Sequence, residues 1–79
     1  IVAGYPSVDF TKSFLSNLDR TAIDILEIGI PYSDPLADGK LISQASFAAS
    51  QAGVTTDTVF DLLASVKGTV HKPLVFLVY

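Results

Sequence analysis

Three carboxylates, Glu27, Asp34 and Asp38, fall close together along the chain, and their settings differ. Glu27 is the next-to-last residue of an almost wholly apolar stretch, Ile23 to Ile28 (IDILEI). Side chains alternate along a strand, so Glu27 shares a face with Ile23 and Ile25, while Leu26 and Ile28 share the other. A carboxylate at the carboxyl end of a covered parallel strand stands where α/β enzymes place their chemistry, because that rim alone is open to ligand. Partial burial beside apolar side chains favours the protonated form, as a group exchanging protons near neutrality requires. A glutamate that simply reaches solvent on the rim fits the position equally well. Asp34 and Asp38 lie in Ile30 to Gly39 (IPYSDPLADG), where two prolines, a glycine and short polar residues exclude both helix and ladder. Asp38 before Gly39 has an ordinary role as an Asx turn or helix cap. Loops this long over a sheet rim are uncommon unless they bind or cover a ligand. A buried Glu and a more solvated Asp facing one substrate would hold different protonation states and so divide acid and base work.

The flanking elements must position these groups. Ile1 to Ala3 reads as the end of a strand stopped by Gly4-Tyr5-Pro6. Ser7 caps a helix from Val8 to Asn17, whose stripe is Phe10, Phe14, Leu15 and Leu18 with Asp9 in its first turn. Ile23 to Ile28 has the apolar, β-branched character of a strand covered on both faces. Leu41, Ile42, Ala45, Ala48, Ala49 and Ala52 mark an Ala-rich helix stopped by Gly53. Thr55 or Thr56 caps another helix with the stripe Val59, Leu62, Leu63 and Val66, closed by Gly68. Pro73 opens a final buried strand from Leu74 to Tyr79. Strands joined by helical crossovers imply a parallel sheet, either doubly wound or closed as a (β/α)8 barrel.

Composition narrows the class. The 79 residues are 49% apolar and 16% charged, too apolar for a disordered tail and too few for two domains. Eight acidic against five basic residues give a net charge of −3, which argues against nucleic acid or an anionic membrane surface as partner. There is no cysteine, hence no disulfide, thiolate metal site or thiol nucleophile. The longest apolar run is far short of the roughly 20 residues of a membrane helix. The glycines form no nucleotide-binding fingerprint. His71 reads as a solvated loop residue, and the scattered lysines and Arg20 as surface charges. A chain that opens and closes in apolar segments, and whose small size leaves sheet edges and helix faces uncovered, is expected to be one partial domain, residues 1–79, of a larger unit.

The run Leu26-Glu27-Ile28-Gly29-Ile30-Pro31-Tyr32-Ser33-Asp34-Pro35-Leu36-Ala37-Asp38-Gly39 closely resembles the signature of the tryptophan synthase α subunit family. Ala3-Gly4-Tyr5-Pro6, Ala52-Gly53-Val54-Thr55 and Pro73 to Tyr79 resemble further segments of it, so the likeness covers the whole chain. The resemblance implies about the first three β/α units of a (β/α)8 barrel. It also implies a lyase cleaving indole-3-glycerol phosphate to indole and glyceraldehyde 3-phosphate in tryptophan biosynthesis. Glu27 would handle protons at indole C3 and the glycerol hydroxyl, and Asp38 the indole N–H. Ile42 and Tyr79 would line the indole pocket. Asp34 and Pro31 would lie at the interface with the β subunit, in an α2β2 assembly of the cytoplasm. Pyridoxal phosphate belongs to that partner, so no cofactor or metal is expected in this chain. Lys40 and Ser43 depart from the family's usual Pro and Gln and place a charge beside the loop. Phosphate-holding loops follow strands 7 and 8 of such barrels, so these residues alone are expected to be inactive. Two other readings start from the same carboxylates: a barrel enzyme acting on a phosphate ester with Glu27, Asp34 and Asp38 as Mg²⁺ ligands, and a subunit-contact segment without activity of its own.

Overall fold

The computed structural model describes residues 1–32 and 39–78. Its elements are α1 (Val8–Ser16), a 3₁₀ turn (Leu18–Arg20), β1 (Leu26–Gly29), α2 (Lys40–Gln51), α3 (Thr56–Ser65) and β2 (Leu74–Leu77). β1 and β2 pair in parallel, with Leu26 opposite Leu74, Glu27 opposite Val75, Ile28 opposite Phe76 and Gly29 opposite Leu77. Residues 1–3 flank β1 on its other side. The Ile1 backbone nitrogen donates to the Glu27 carbonyl at 2.8 Å, Gly29 N–H to the Ile1 carbonyl at 2.7 Å, and Ala3 N–H to the Gly29 carbonyl at 3.0 Å. The expected first strand is therefore present as a short parallel pairing around a single Val2–Gly29 bridge. β1 thus lies in the middle of the sheet, held on both sides.

The caps follow the sequence closely. Ser7 accepts from Phe10 N–H and starts α1. Thr55 accepts from Thr58 N–H while the Thr58 hydroxyl accepts from Thr55 N–H, a reciprocal pair that sets the start of α3. All three helices lie on one face of the sheet, around a core that includes Leu15, Leu18, Leu26, Ile28, Ala49, Val54, Val59 and Val66. The stripe assigned to α3 is the one observed, with Val59, Leu62 and Val66 buried and Leu63 half-buried.

α1 differs from expectation. Phe10 is exposed and Thr11 is buried in its place. The reason is polar: the Thr11 hydroxyl accepts from Gly4 N–H at 2.9 Å and donates to the Ser7 carbonyl, so α1 is rotated to serve the turn that precedes it. On α2, Leu41, Ile42 and Ala48 are also exposed, and the buried positions are Ser46 and Ala49. β1 begins at Leu26 rather than Ile23, because the carbonyls of Thr21 and Ile23 are taken by the Lys72 ammonium. The last strand forms over Leu74–Leu77 but is not buried: Val75, Phe76, Leu77 and Val78 are all exposed, since among the described residues no strand lies on the outer side of β2. Ile25, Val75 and Leu77 stand uncovered on the face opposite the helices, the face that a closed barrel fills with side chains from its other strands.

At the amino end of the sheet His71 is a solvated loop residue, as expected, and it is also paired. Its N–H and ring Nδ1 engage the two carboxylate oxygens of Asp19, at 3.0 and 2.6 Å. With Lys72, this ties the entrance of β2 to the turn after α1. The His71 backbone N–H, then its ring, hold the Asp19 carboxyl below its ordinary value of 3.8. A lowered carboxylate contributes stability that is complete above the ordinary value and lost as pH falls through the lower folded one. Acidification of the full-length chain from about pH 5 to about pH 3 is therefore expected to lower the wild-type thermal midpoint more than that of Asp19→Asn. Parallel midpoint curves for the two proteins would exclude this contribution.

Candidate active site

The central strand delivers Glu27 to the open face of the sheet. Leu26 and Ile28 turn toward the helices and are 7% and 1% exposed, while Glu27 between them is exposed on the side away from the helical layer. The face assignment made from alternation therefore holds. The expected burial of the carboxylate does not: these residues leave it open to water, and any desolvation must come from groups beyond them. Among the described residues the Glu27 carboxylate has no hydrogen-bond partner, so the group is placed by its strand alone.

Glu27 borders a cavity of about 210 Å³ at the end of the sheet where the strands exit. Ile42 and Ser46 from α2 form one wall, and Val2, Ile30 and Leu77 from the three parallel segments form the other. The structure thus brings together two of the residues singled out from sequence, the carboxylate and the apolar Ile42. Asp34, Asp38 and Tyr79 lie outside the described residues. Pro31 is half-buried at the exit of β1, directly before Tyr32. Among the described residues no three His, Asp or Glu side chains are placed to hold a metal ion, and no helix is long and apolar enough to cross a membrane.

One member of this region, Ser46, and one buried hydroxyl outside it, Thr11, were missed in sequence. Ser46 lines the cavity and is 3% exposed. Its signal was available, because it stands four residues after Ile42 and three before Ala49, on the inward line of α2. Thr11 likewise sits four residues before Leu15. In both cases a small hydroxyl on a helix's buried line should have been matched to a backbone group needing a partner. A second hollow of about 390 Å³ lies between α3 and β2, where Phe60 and Phe76 stack obliquely with ring centres 5.5 Å apart. It is on the helical side of the sheet, away from Glu27, and its polar lining is two lysines.

The family model described as tryptophan synthase alpha chain matches residues 1–79. The chain belongs to the tryptophan synthase alpha chain family. The tryptophan synthase alpha chain of Campylobacter jejuni subsp. doylei is 49% identical over 78 residues, covering 99% of this chain and 30% of that protein. A crystal structure of tryptophan synthase subunit alpha from Legionella pneumophila superposes with a TM-score of 0.91 at 32% identity, over 100% of this chain and 30% of that one. A chain of the tryptophan synthase complex from Pyrococcus furiosus superposes with a TM-score of 0.88 at 33% identity, over 100% of this chain and 32% of that one. Relative to these tryptophan synthase alpha chains, the present chain spans about 30% of their length. Its architecture is accordingly that of the opening β/α units of a (β/α)8 barrel. The choice left open between an open doubly wound sheet and a barrel is settled in favour of the barrel.

Proposed function

We propose that this chain carries the proton-transfer part of a lyase site that cleaves indole-3-glycerol phosphate to indole and glyceraldehyde 3-phosphate. The observation that supports it most directly is Glu27, on a strand held from both sides, projecting onto the open face beside an apolar cavity in a member of this family. A proton delivered to indole C3 weakens the bond from C3 to the glycerol chain. Removal of the adjacent hydroxyl proton then drives that bond's cleavage, its electron pair restoring the indole ring as the hydroxyl carbon becomes an aldehyde. One carboxyl group that gives and then takes a proton suffices for both steps, and Glu27 is that group. Asp38 receives or stabilises the indole N–H proton, and Ile42 and Tyr79 hold the ring.

The Pyrococcus furiosus neighbour is a tryptophan synthase complex, and by analogy this chain assembles with a β subunit as α2β2, through a surface that includes Pro31 and Asp34. Pyridoxal phosphate is assigned to that partner and no cofactor to this chain; the assembly is placed in the cytoplasm. The phosphate of the substrate is held by parts of the barrel beyond these residues.

The test uses the full-length chain. Indole release from indole-3-glycerol phosphate is expected to proceed in EDTA, and Asp38→Asn is expected to lower kcat by about 100-fold while β-subunit affinity is kept. Activity lost in EDTA and restored by Mg²⁺ would instead assign the carboxylates to a metal. Affinity for the partner lost before turnover would make the segment a contact module.

A further inference from the structure

We infer that Ser46 is a positioning residue that sets the wall of the Glu27 cavity, an inference that rests on the lyase reading above. A serine in the middle of a helix ordinarily faces water or bonds back to the carbonyl one turn earlier. Ser46, at the middle of α2, instead reaches outside its helix to a residue fourteen positions earlier. Its hydroxyl accepts from the Tyr32 backbone N–H at 2.7 Å and donates to the Tyr32 carbonyl at 2.9 Å. One buried side chain thus grips both polar groups of one peptide residue.

The tie continues into the sheet. Two residues before Tyr32, Ile30 N–H donates to the Leu77 carbonyl at 3.0 Å, which fixes the exit of β1 against β2. Ser46 extends that connection to α2. Among the described residues apolar burial does little of this work, because Leu41 is 80% exposed and Ile42 47% exposed, leaving only half-buried Ala45 packed on the core in the first half of the helix. Ile42 is one turn before Ser46 on the same side of α2, and both border the cavity. The two bonds of Ser46 therefore help to set the position of the Ile42 side chain relative to Glu27. A wall displaced by an ångström or so loses contact with a bound ring in the ground state and the transition state alike, a loss of uniform binding that raises KM.

The experiment compares wild-type, Ser46→Ala and Ser46→Thr full-length chains in steady-state cleavage of indole-3-glycerol phosphate, with thermal unfolding to establish that each is folded at the assay temperature. Ser46→Ala is expected to raise KM by about tenfold, the low end of what one apolar pocket contact is worth, and Ser46→Thr, which keeps the hydroxyl, to stay within about twofold of wild type. A purely structural role would shrink the active fraction, lowering apparent kcat at unchanged KM. Amide hydrogen exchange on the wild-type protein supplies a readout that needs no variant: Tyr32 N–H is expected to be protected to the level of the β1 amides. Wild-type KM in Ser46→Ala, or free exchange at Tyr32, would overturn the inference and leave the lyase reading standing. A wild-type chain that fails to cleave the ester would remove the lyase reading, and with it the catalytic meaning of Ser46, whatever Tyr32 shows.

Discussion

Glu27→Gln in the full-length chain is expected to lower kcat for indole release by about 100-fold or more while leaving the unfolding midpoint near that of wild type. The change keeps the shape of the side chain and removes its capacity to carry a proton, so the loss measures acid–base work, a contribution that typically spans 10² to 10⁴. The stability half follows from the surroundings. The carboxylate is exposed, has no hydrogen-bond partner among the described residues, and packs on the face away from the core. In the full-length barrel other strands close over that face, but Gln keeps the volume of Glu, so neither a cavity nor overpacking arises and the cost stays below about 1.5 kcal/mol. Glu27→Asp is a separate probe, because it keeps the proton but withdraws the carboxyl group by one methylene from the cavity that Ile42 borders. A loss of about ten- to a hundredfold there would assign part of the effect to reach. The assignment fails if Glu27→Gln retains more than about a tenth of wild-type kcat. It fails equally if both substitutions lower the midpoint in proportion to activity, since the group would then be structural.

Much of this arrangement was legible in the sequence, and what was not has physical causes. Caps and alternation are local, and Ser7, Thr55, Gly53 and the facing of Glu27 against Leu26 and Ile28 were read from neighbours a few positions away. Burial is a property of what lies across from a residue, and there the reading failed in both directions. Leu41 and the strand from Leu74 look like core from their own chemistry, yet the surfaces that would cover them are not among the described residues, and Phe10 is turned outward by the rotation of α1. Thr11 and Ser46 look like surface from theirs, yet each is buried because a backbone group elsewhere needs its hydroxyl. The pairing of His71 with Asp19 spans 52 residues and has no sequence periodicity to announce it. Sequence therefore located the site through a local motif and a strand end, while the ties that hold the site's walls became visible only when distant segments met.

Gly4→Ala is expected to be the most destabilising of the five glycine-to-alanine changes. Gly4 has φ +83°, in the left-handed region where an L side chain is strained, and such strain costs of order 1–3 kcal/mol. Space compounds it. A Cβ at this position would stand 2.7 Å from Cγ2 and 2.9 Å from Cγ1 of Val54, a valine that is only 7% exposed and packs in the core. Overpacking of that kind adds about 1–3 kcal/mol. The turn cannot shift freely to relieve it, because Gly4 N–H is held by Thr11 and Val54 N–H by the Ala49 carbonyl at 3.1 Å. The two costs separate in a double-mutant cycle with Val54→Ala, which opens the space but leaves the backbone angle as it is. Val54→Ala alone is destabilising through its cavity. In the Gly4→Ala background its penalty is expected to shrink by about 1–3 kcal/mol, the coupling that two touching residues produce, with the remaining deficit measuring the φ strain. Urea unfolding of the four full-length chains reads all of these quantities. By contrast Gly53→Ala, with φ +90° and nothing within 4 Å of the added carbon, carries the angular cost without the steric one. If Gly4→Ala is no worse than Gly53→Ala, the close approach of Val54 is not what confines residue 4 to glycine.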